Sequence, residues 1–204
     1  MSHQKFKGKE YTQRKVVNNI IRYMELATDQ EVKGGINWYA DANKLAQEYS
    51  GKTGYSLLNV AGVISALSPQ TSWELNKVYL VRFLRDGIDA LANTTANKIK
   101  AQKCLNATSV DEIVKVLNGN KTVSFFLNIL FPDTDGVATI DRHAVAICIQ
   151  RPEKVKPLDA VQLTNIQYSF FESAYIEVAK KYGLKACEVQ AITWVTYRRL
   201  RGLK

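Results

Sequence analysis

Apolar side chains recur at three- and four-residue intervals along most of the chain, a spacing that predicts amphipathic α-helices. No pair of alternating Val-, Ile- or Thr-rich segments joined by a tight turn interrupts them. We therefore expect an all-α protein in which any β-structure is limited to a short pair of strands. Thr12 would cap the first helix, the pair Gly34–Gly35 would end that section, and Asn37 would open a helix running through Tyr49.

The most apolar segment, SLLNVAGVISAL at residues 56–67, predicts a central helix that is buried on nearly every side. Ser72 is a good N-cap for the helix after it, and a shorter helix follows over residues 97–107. Ser109 with Glu112 three residues later predicts a capping box that opens the next helix. The tight connection 117–120 then leads into another apolar helix, so that these two helices form a helical hairpin.

The last third of the chain is predicted to contain three more helices. A loop at 132–139 precedes a helix over 140–149, a linker contains Pro152 and Pro157, and the last helices span about 159–182 and 186–201.

Charge is concentrated at the two ends of the 204-residue chain, which carries 28 Lys+Arg against 19 Asp+Glu. Residues 1–33 hold seven basic and four acidic side chains, residues 34–178 hold fourteen of each, and residues 179–204 hold seven basic and one acidic. An excess of this kind favours a polyanionic partner such as nucleic acid, although a merely solvated basic surface would have the same composition.

Cys104, Cys148 and Cys187 are odd in number and far apart, as is typical of reduced cysteines in a cytosolic protein. With only His3 and His143 besides, the sequence has no zinc or iron–sulfur spacing, and we expect no metal and no cofactor. The basic N-terminus has no apolar core and no long apolar run occurs, so neither a signal peptide nor a membrane partner is expected. The expected location is cytoplasmic, either nucleoid-associated or in the host cytoplasm if the protein is encoded by a phage.

Leu117 to Ile149 reads LNGNKTVSFFLNILFPDTDGVATIDRHAVAICI. This stretch resembles the helix-hairpin-helix superfamily of DNA glycosylases, of the endonuclease III type, in which L-P-G-V-G-x-K-T-A precedes an apolar helix, a loop and V-D-T-H-V. SALSPQTSW from Ser65 and NKIKA from Asn97 are similar to two further motifs of that family. All four matches come in the family's order and cover about residues 56–150.

The resemblance implies that Lys121 and Asp141, which are 20 residues apart, are the catalytic pair. A neutral lysine amine can attack C1′ of the sugar and form a Schiff base, and a fixed carboxylate can stabilise the positive charge that develops on the sugar. Taken alone, an aspartate at a helix start is usually a cap, and an isolated lysine is usually solvated or in contact with phosphate.

Further DNA contacts are implied around this pair. Gln70 matches a position that fills the gap left by a flipped base, and Trp73 and Tyr55 are candidates for stacking on that base, unless they are loop and core residues. Gly119 and Asn120 belong to the helical hairpin, which would present backbone N–H groups to a phosphate but is two residues shorter than the family's.

The remaining candidates lie near the end of the chain. His143 matches the family's D-T-H histidine, and a structural role is the alternative to proton transfer. Arg198 and Arg201 lie on adjoining helical turns and can meet successive phosphates while Trp194 and Tyr197 anchor the helix; a solvated basic face is the alternative.

The expectation is thus a two-lobed all-α fold of the helix-hairpin-helix glycosylase type, with a middle lobe of 56–136 and a second lobe of 1–55 and 137–204. Lys121 and Asp141 would meet across a cleft. The protein would act as a monomeric DNA N-glycosylase with AP lyase activity on double-stranded DNA that contains a modified base or an abasic site.

The target base stays open among uracil-like, oxidised, alkylated and hypermodified bases. A non-catalytic DNA-binding module on the same scaffold, which the short hairpin favours, is one alternative. A helical interaction protein with no nucleic-acid role is the other.

Overall fold

Helices form most of the protein, as expected. The computed structural model describes residues 2–151, 158 and 161–203. Within these residues there are two strands, β1 (His3–Phe6) and β2 (Lys9–Thr12), and a short 3₁₀ helix at Ile88–Ala90. The ten α-helices of the described residues are α1 (Gln13–Glu25), α2 (Asp29–Thr53), α3 (Leu57–Leu67), α4 (Trp73–Asp86), α5 (Thr95–Leu105), α6 (Val110–Leu117), α7 (Asn120–Leu130), α8 (Arg142–Cys148), α9 (Asn165–Tyr182) and α10 (Ala186–Leu200).

Three hydroxyl N-caps that the sequence indicated are confirmed: Thr12 of α1, Ser72 of α4 and Ser109 of α6. Ser56 of α3 is a further cap that the sequence did not single out. In each case the side-chain oxygen accepts a hydrogen bond from the backbone N–H three residues later, which satisfies a donor that the first helical turn leaves unpaired. The reciprocal half of the box predicted at Ser109 is wrong, because the Glu112 carboxylate accepts from the backbone N–H of Thr108 at 2.7 Å instead.

The prediction that Gly34–Gly35 ends a section and that Asn37 begins a helix is wrong, because α2 runs unbroken through all three. Its start is set by a capping box that the sequence analysis overlooked. Thr28 Oγ1 accepts from the backbone N–H of Glu31 at 3.3 Å, and the Glu31 carboxylate accepts from the backbone N–H of Thr28 at 2.8 Å.

Three smaller corrections concern the first residues of helices. The helix predicted over 97–107 begins at Thr95, and the one predicted over 140–149 begins at Arg142. The described part of the helix predicted from 159 begins at Asn165, where Thr164 and Gln167 form a capping box. The linker predicted around Pro152 and Pro157 lies outside the described residues.

Two compact units make up the chain. The terminal unit consists of residues 1–39 and 133–204, and the middle unit of residues 40–132. The first boundary falls within α2, upstream of the position expected from the sequence. Residues beyond it pack in the middle unit, where the Asn43 side chain donates to the carbonyl of Ile129 at 2.8 Å.

In the middle unit, α3 is the central helix, and α4, α5, α6 and α7 pack around it. Every residue from Asn59 to Leu67 is buried, which confirms the prediction made from its apolar sequence. Gly62 allows the closest approach, because a Cβ there would lie 3.0 Å from Cys104 Cβ and 2.9 Å from Ile113 Cδ1.

In the terminal unit, α1, α8, α9 and α10 pack against one another, and the β1–β2 pair lies against α1 and α9. Tyr23 and Tyr197 are fully buried and meet edge-on with ring centroids 5.7 Å apart. No helix in the described parts of the chain combines the length and the apolar character needed to cross a membrane.

Adjacent glycines in α2 give a matched test of the packing of the terminal unit. A Cβ on Gly35 would lie 2.6 Å from the backbone N and Cα of Ile192 on α10, whereas a Cβ on Gly34 would meet nothing within 4 Å. We expect Gly35→Ala to lower the free energy of unfolding by about 1–3 kcal/mol through overpacking. Gly34→Ala should raise it by about 0.5–1 kcal/mol, because alanine is the better helix former. Urea denaturation of both variants checks the opposite signs, and equal effects would contradict this packing.

Candidate functional site

Asp141, the one carboxylate among the predicted site residues, is held by three hydrogen bonds. It caps α8, with Oδ1 accepting from the backbone N–H groups of His143 at 2.9 Å and Ala144 at 2.8 Å. Its other oxygen, Oδ2, accepts from the indole N–H of Trp194 on α10 at 3.1 Å. The capping interpretation therefore describes one oxygen, while the second is oriented by a different helix. Three donors fix a carboxylate that is only partly buried.

Helix α9 positions the segment that leads into Asp141. The hydroxyl of Tyr168 donates to the carbonyl of Ala138 and accepts from the backbone N–H of Ile140, both at 3.0 Å. The Glu172 carboxylate accepts from the N–H of Ala138 at 3.1 Å. Burial raises the pKa of Glu172, against the opposing effect of that hydrogen bond. Neither Tyr168 nor Glu172 carried a sequence signal, since both act through contacts about thirty residues away.

The two arginines predicted to bind phosphate stack on the aromatic side chains of their own helix. The guanidinium carbon of Arg198 lies 4.4 Å from the ring centroid of Trp194, and that of Arg201 lies 5.2 Å from the ring centroid of Tyr197. Arg201 also donates to the hydroxyl of Tyr197 at 2.8 Å. The predicted anchoring aromatics thus orient the arginines as well.

Arg142 adds a third cation that the sequence analysis passed over, although it directly follows Asp141. Its side chain is exposed and forms no ion pair within the described residues. Arg142 and Asp141 both act on Arg198: burial lowers the pKa of Arg198, Asp141 raises it and Arg142 lowers it further. Opposing effects of this kind arise only between charges that are close together.

The intervening arginine of α10 has a structural role instead. Arg199 forms a bidentate ion pair with Glu31 at 2.7 and 3.0 Å and donates to the carbonyl of Leu26 at 2.8 Å. It ties the C-terminal helix to the start of α2 and is therefore distinct from Arg198 and Arg201.

His143 is buried, with 6% of its surface exposed, and packs between the rings of Trp194 and Tyr197 at centroid distances of 6.2 and 5.7 Å. Its pKa is lowered, first by burial and then by Arg142, Arg198 and Arg201, while Asp141 opposes the shift. The structural interpretation of this histidine accounts for these contacts, because little of its ring is accessible to a ligand.

Lys121 lies in the first turn of α7 in the middle unit, directly after the short connection between α6 and α7. No side chain caps this helix, whose N-cap is Gly119. The Lys121 side chain is half-buried and forms no ion pair with any described residue. The left-handed residue of the hairpin is Asn118, with φ 47°, while Gly119 is extended at φ −155°. Asn120, predicted as a phosphate contact, begins the helix and is exposed.

Gln70 stands in a strained turn between α3 and α4. The backbone N–H of Thr71 donates to the carbonyl of Ser68 at 3.2 Å, and Gln70 occupies the third turn position with φ 61°. That position of a turn with Pro69 before it normally takes glycine, since a Cβ is unfavourable at positive φ. The exposed glutamine therefore carries conformational strain of the kind found at functional sites.

The two aromatic candidates of the middle unit differ in packing. Trp73 opens α4 and meets Phe125 of α7 edge-on at 6.5 Å between centroids, so the helix that carries Lys121 also supports this indole. Tyr55 is 39% exposed in the loop between α2 and α3. Neither ring is part of the buried core, which leaves both of them faces that a base could contact.

No group of three or more His, Cys, Asp or Glu side chains in the described parts of the chain could hold a metal ion. All three cysteines are buried. Burial raises the pKa of Cys104 to about 12 and that of Cys187 to about 11, and it also raises that of Cys148. None of these thiols is therefore prepared for nucleophilic attack at neutral pH.

Residues 2–201 match the model of a family of unknown function, DUF7178. The chain belongs to this family. No curated protein and no solved structure matches it significantly. Because the DUF7178 match covers nearly the whole chain, it includes the carboxylate and arginines of the terminal unit as well as the helical hairpin of the middle unit.

Stability at acidic pH should report on the buried imidazole of this DUF7178 member. The folded-state pKa of His143 lies below the value of about 6.5 expected in the unfolded chain, so on acidification the unfolded chain takes up a proton first. The contribution of the neutral, buried His143 to the free energy of unfolding is thus fully present above the unfolded-state pKa and is lost as the pH falls below that value.

We expect the urea midpoint of the wild type to fall as the pH is lowered below about 6.5, and the fall to be smaller in His143→Gln. His3→Gln, which changes the exposed histidine of β1, is the matched control and should fall like the wild type. An unchanged pH dependence in His143→Gln would refute the assignment.

Proposed function

We propose that this protein is a DNA N-glycosylase with associated AP lyase activity, which excises a modified base after flipping it out of duplex DNA. One observation carries the proposal: the Asp141 carboxylate is fixed by three donors beside the cations Arg142 and Arg198. The two arginines attract the negative phosphates of DNA, and the carboxylate can stabilise positive charge that develops on a sugar.

In this proposal Asp141 stabilises the oxocarbenium-like sugar while the bond to the base breaks. The two helices that hold the carboxylate prevent it from reorienting as charge develops, so little reorganisation energy is needed at that moment. The arginines on the rings of Trp194 and Tyr197 contact the DNA backbone through phosphate oxygens.

Lys121 supplies the nucleophile. Its amine forms a bond to C1′ as the glycosidic bond breaks, and the base leaves with a proton. Cleavage of the C1′–O4′ bond then opens the sugar ring and gives a Schiff base, which permits β-elimination of the 3′ phosphate. The uncapped first turn of α7 offers backbone N–H groups to a phosphate next to this lysine, which supports docking despite the short helical hairpin.

Gln70 and Trp73 suit the flipping step. A planar amide held in a strained exposed turn can enter the gap in the base stack, and an indole supported by Phe125 can stack on the extruded base. The proposal leaves the target base open, because the pocket chemistry that selects it is not fixed by these residues alone.

The second candidate is a non-catalytic DNA-binding module. Both Asp141 oxygens already accept hydrogen bonds from the protein, as a carboxylate with a purely structural role would, and this observation favours the module. The two candidates share the DNA partner and differ only in chemistry, so trapping and base-release experiments separate them.

Lys121→Ala should abolish covalent trapping of the protein on abasic DNA by borohydride, because the amine that forms the reducible imine is removed. Lys115→Ala, which removes an exposed lysine of α6 in the same unit, should trap like the wild type. Denaturing gels of the borohydride-treated mixtures give the measurement. Equal trapping by the wild type and Lys121→Ala would assign the nucleophile elsewhere.

Asp141→Asn should lower base removal by about 10²-fold or more, since the charge is lost while asparagine remains a good helix N-cap. Cleavage of a pre-formed abasic site should fall much less, because the carboxylate acts mainly as the base departs. Single-turnover rates on a modified-base duplex and on an abasic duplex measure both steps. Trp194→Phe, which removes the indole donor but keeps the charge, should give an intermediate rate of base removal. A rate for Asp141→Asn equal to that of the wild type would leave Asp141 as a structural cap.

A further inference from the structure

The N-terminal strands form a β-hairpin whose tip carries three lysines. β1 and β2 are antiparallel, with Phe6 opposite Lys9, so Lys7 and Gly8 are the two loop residues. Both have positive φ, 48° and 76°, as a type I′ turn requires. We call residues 3–12 the β-hairpin arm.

The β-hairpin arm is fixed to the terminal unit by its apolar side. Phe6 and Tyr11 are buried, and the Phe6 ring meets that of Phe171 on α9 edge-on at 5.8 Å. The Gln167 side chain donates to the carbonyl of Lys5 at 2.9 Å. The tip is therefore held in one orientation before any partner arrives, which reduces the entropy lost on binding.

Exposed cations surround the tip of the β-hairpin arm on both faces, since Lys9 pairs with Phe6 and Lys5 pairs with Glu10 across the strands. Lys5, Lys7 and Lys9 are exposed, and Arg14 and Lys15 continue the charge into the first turn of α1. The acidic residue of the arm, Glu10, lies 3.3 Å from His3. None of these five cations forms an ion pair within the parts of the chain that the structure describes.

Lys7 occupies a position for which lysine is a poor choice. The first loop residue of a type I′ turn has positive φ and is usually Asn, Asp or Gly, because a longer side chain is unfavourable in that conformation. Turn geometry therefore does not explain the lysine. Its ammonium lies 5.9 Å from the centroid of the Phe6 ring, and its charge is the property that a partner could use.

We propose that Lys5, Lys7 and Lys9 bind the phosphate backbone of duplex DNA, as a contact separate from the arginines around Asp141. The proposal rests on the proposed function only in taking DNA as the partner. An anionic membrane is the less suitable surface, because Phe6 and Tyr11 point into the core and leave the tip no apolar side chain to insert.

A charge-matched pair of triple variants of the full chain tests the proposal. Lys5→Gln/Lys7→Gln/Lys9→Gln removes the tip charges, and Lys44→Gln/Lys52→Gln/Lys77→Gln removes three middle-unit lysines that are each paired with a carboxylate. Fluorescence anisotropy with a short labelled duplex of ordinary bases, over a range of salt concentrations, gives Kd and its salt slope. We expect the tip variant to bind about tenfold more weakly and its slope to fall by about 2–3, while the control changes little.

A single variant separates binding from stability. Lys7→Asn puts a favoured residue at the turn, so it should raise the melting temperature while it weakens DNA binding. Equal affinities and slopes for the two triple variants would overturn the proposal, as would binding to phosphatidylserine vesicles in place of the duplex.

The two proposals fail in distinguishable ways. A tip variant that binds DNA like the control but still releases a base would overturn only the role of the β-hairpin arm. A wild type that binds duplex DNA through the tip without any chemistry would overturn only the glycosylase.

Discussion

The hydrogen bond from the indole of Trp194 to Asp141 Oδ2 is the contact on which the candidate site of the terminal unit depends. It joins the first turn of α8 to α10, so that one carboxylate is shared by two helices. The same indole supports Arg198 on its face and lies beside the buried imidazole of His143. Loss of this donor would leave Asp141 an ordinary helix cap and would release the arginine beside it.

In the middle unit, two candidate residues stand at locally unfavourable features, one of backbone conformation and one of helix capping. Gln70 has a backbone conformation that glycine would adopt more easily. Helix α7, which carries Lys121 in its first turn, begins without a side-chain cap. The buried helix α3 provides the rigid support that such features need. An exposed amide such as that of Gln70 is suited to enter a gap in the base stack, and a lysine that forms no ion pair with a described residue, such as Lys121, is suited to meet phosphate.

Capping preferences and hydrophobic periodicity predicted the features of the fold that depend on contacts within a few residues. The hydroxyl of Thr12 caps α1 through the backbone N–H three residues later, and the apolar segment of α3 is buried because its own sequence allows no exposed face. At Gly35 the same rules predicted a helix end, and the prediction was wrong. Its lack of a side chain serves the close approach of Ile192, far along the chain, and the helix continues through it. The bond between Asp141 and Trp194 spans 53 residues and has no signature in either segment, so the sequence identified both residues without joining them.

Release of a free base distinguishes a glycosylase from a DNA-binding module. The wild-type protein would be incubated with duplexes that each contain one uracil, oxidised, alkylated or hydroxymethylated base, and with an abasic duplex, and the low-mass products and the DNA strands would be analysed by mass spectrometry. We expect a free base from at least one duplex and a β-elimination product from the abasic strand. Tight binding to these duplexes with intact bases and uncut abasic strands would contradict this expectation and would leave a DNA-binding module.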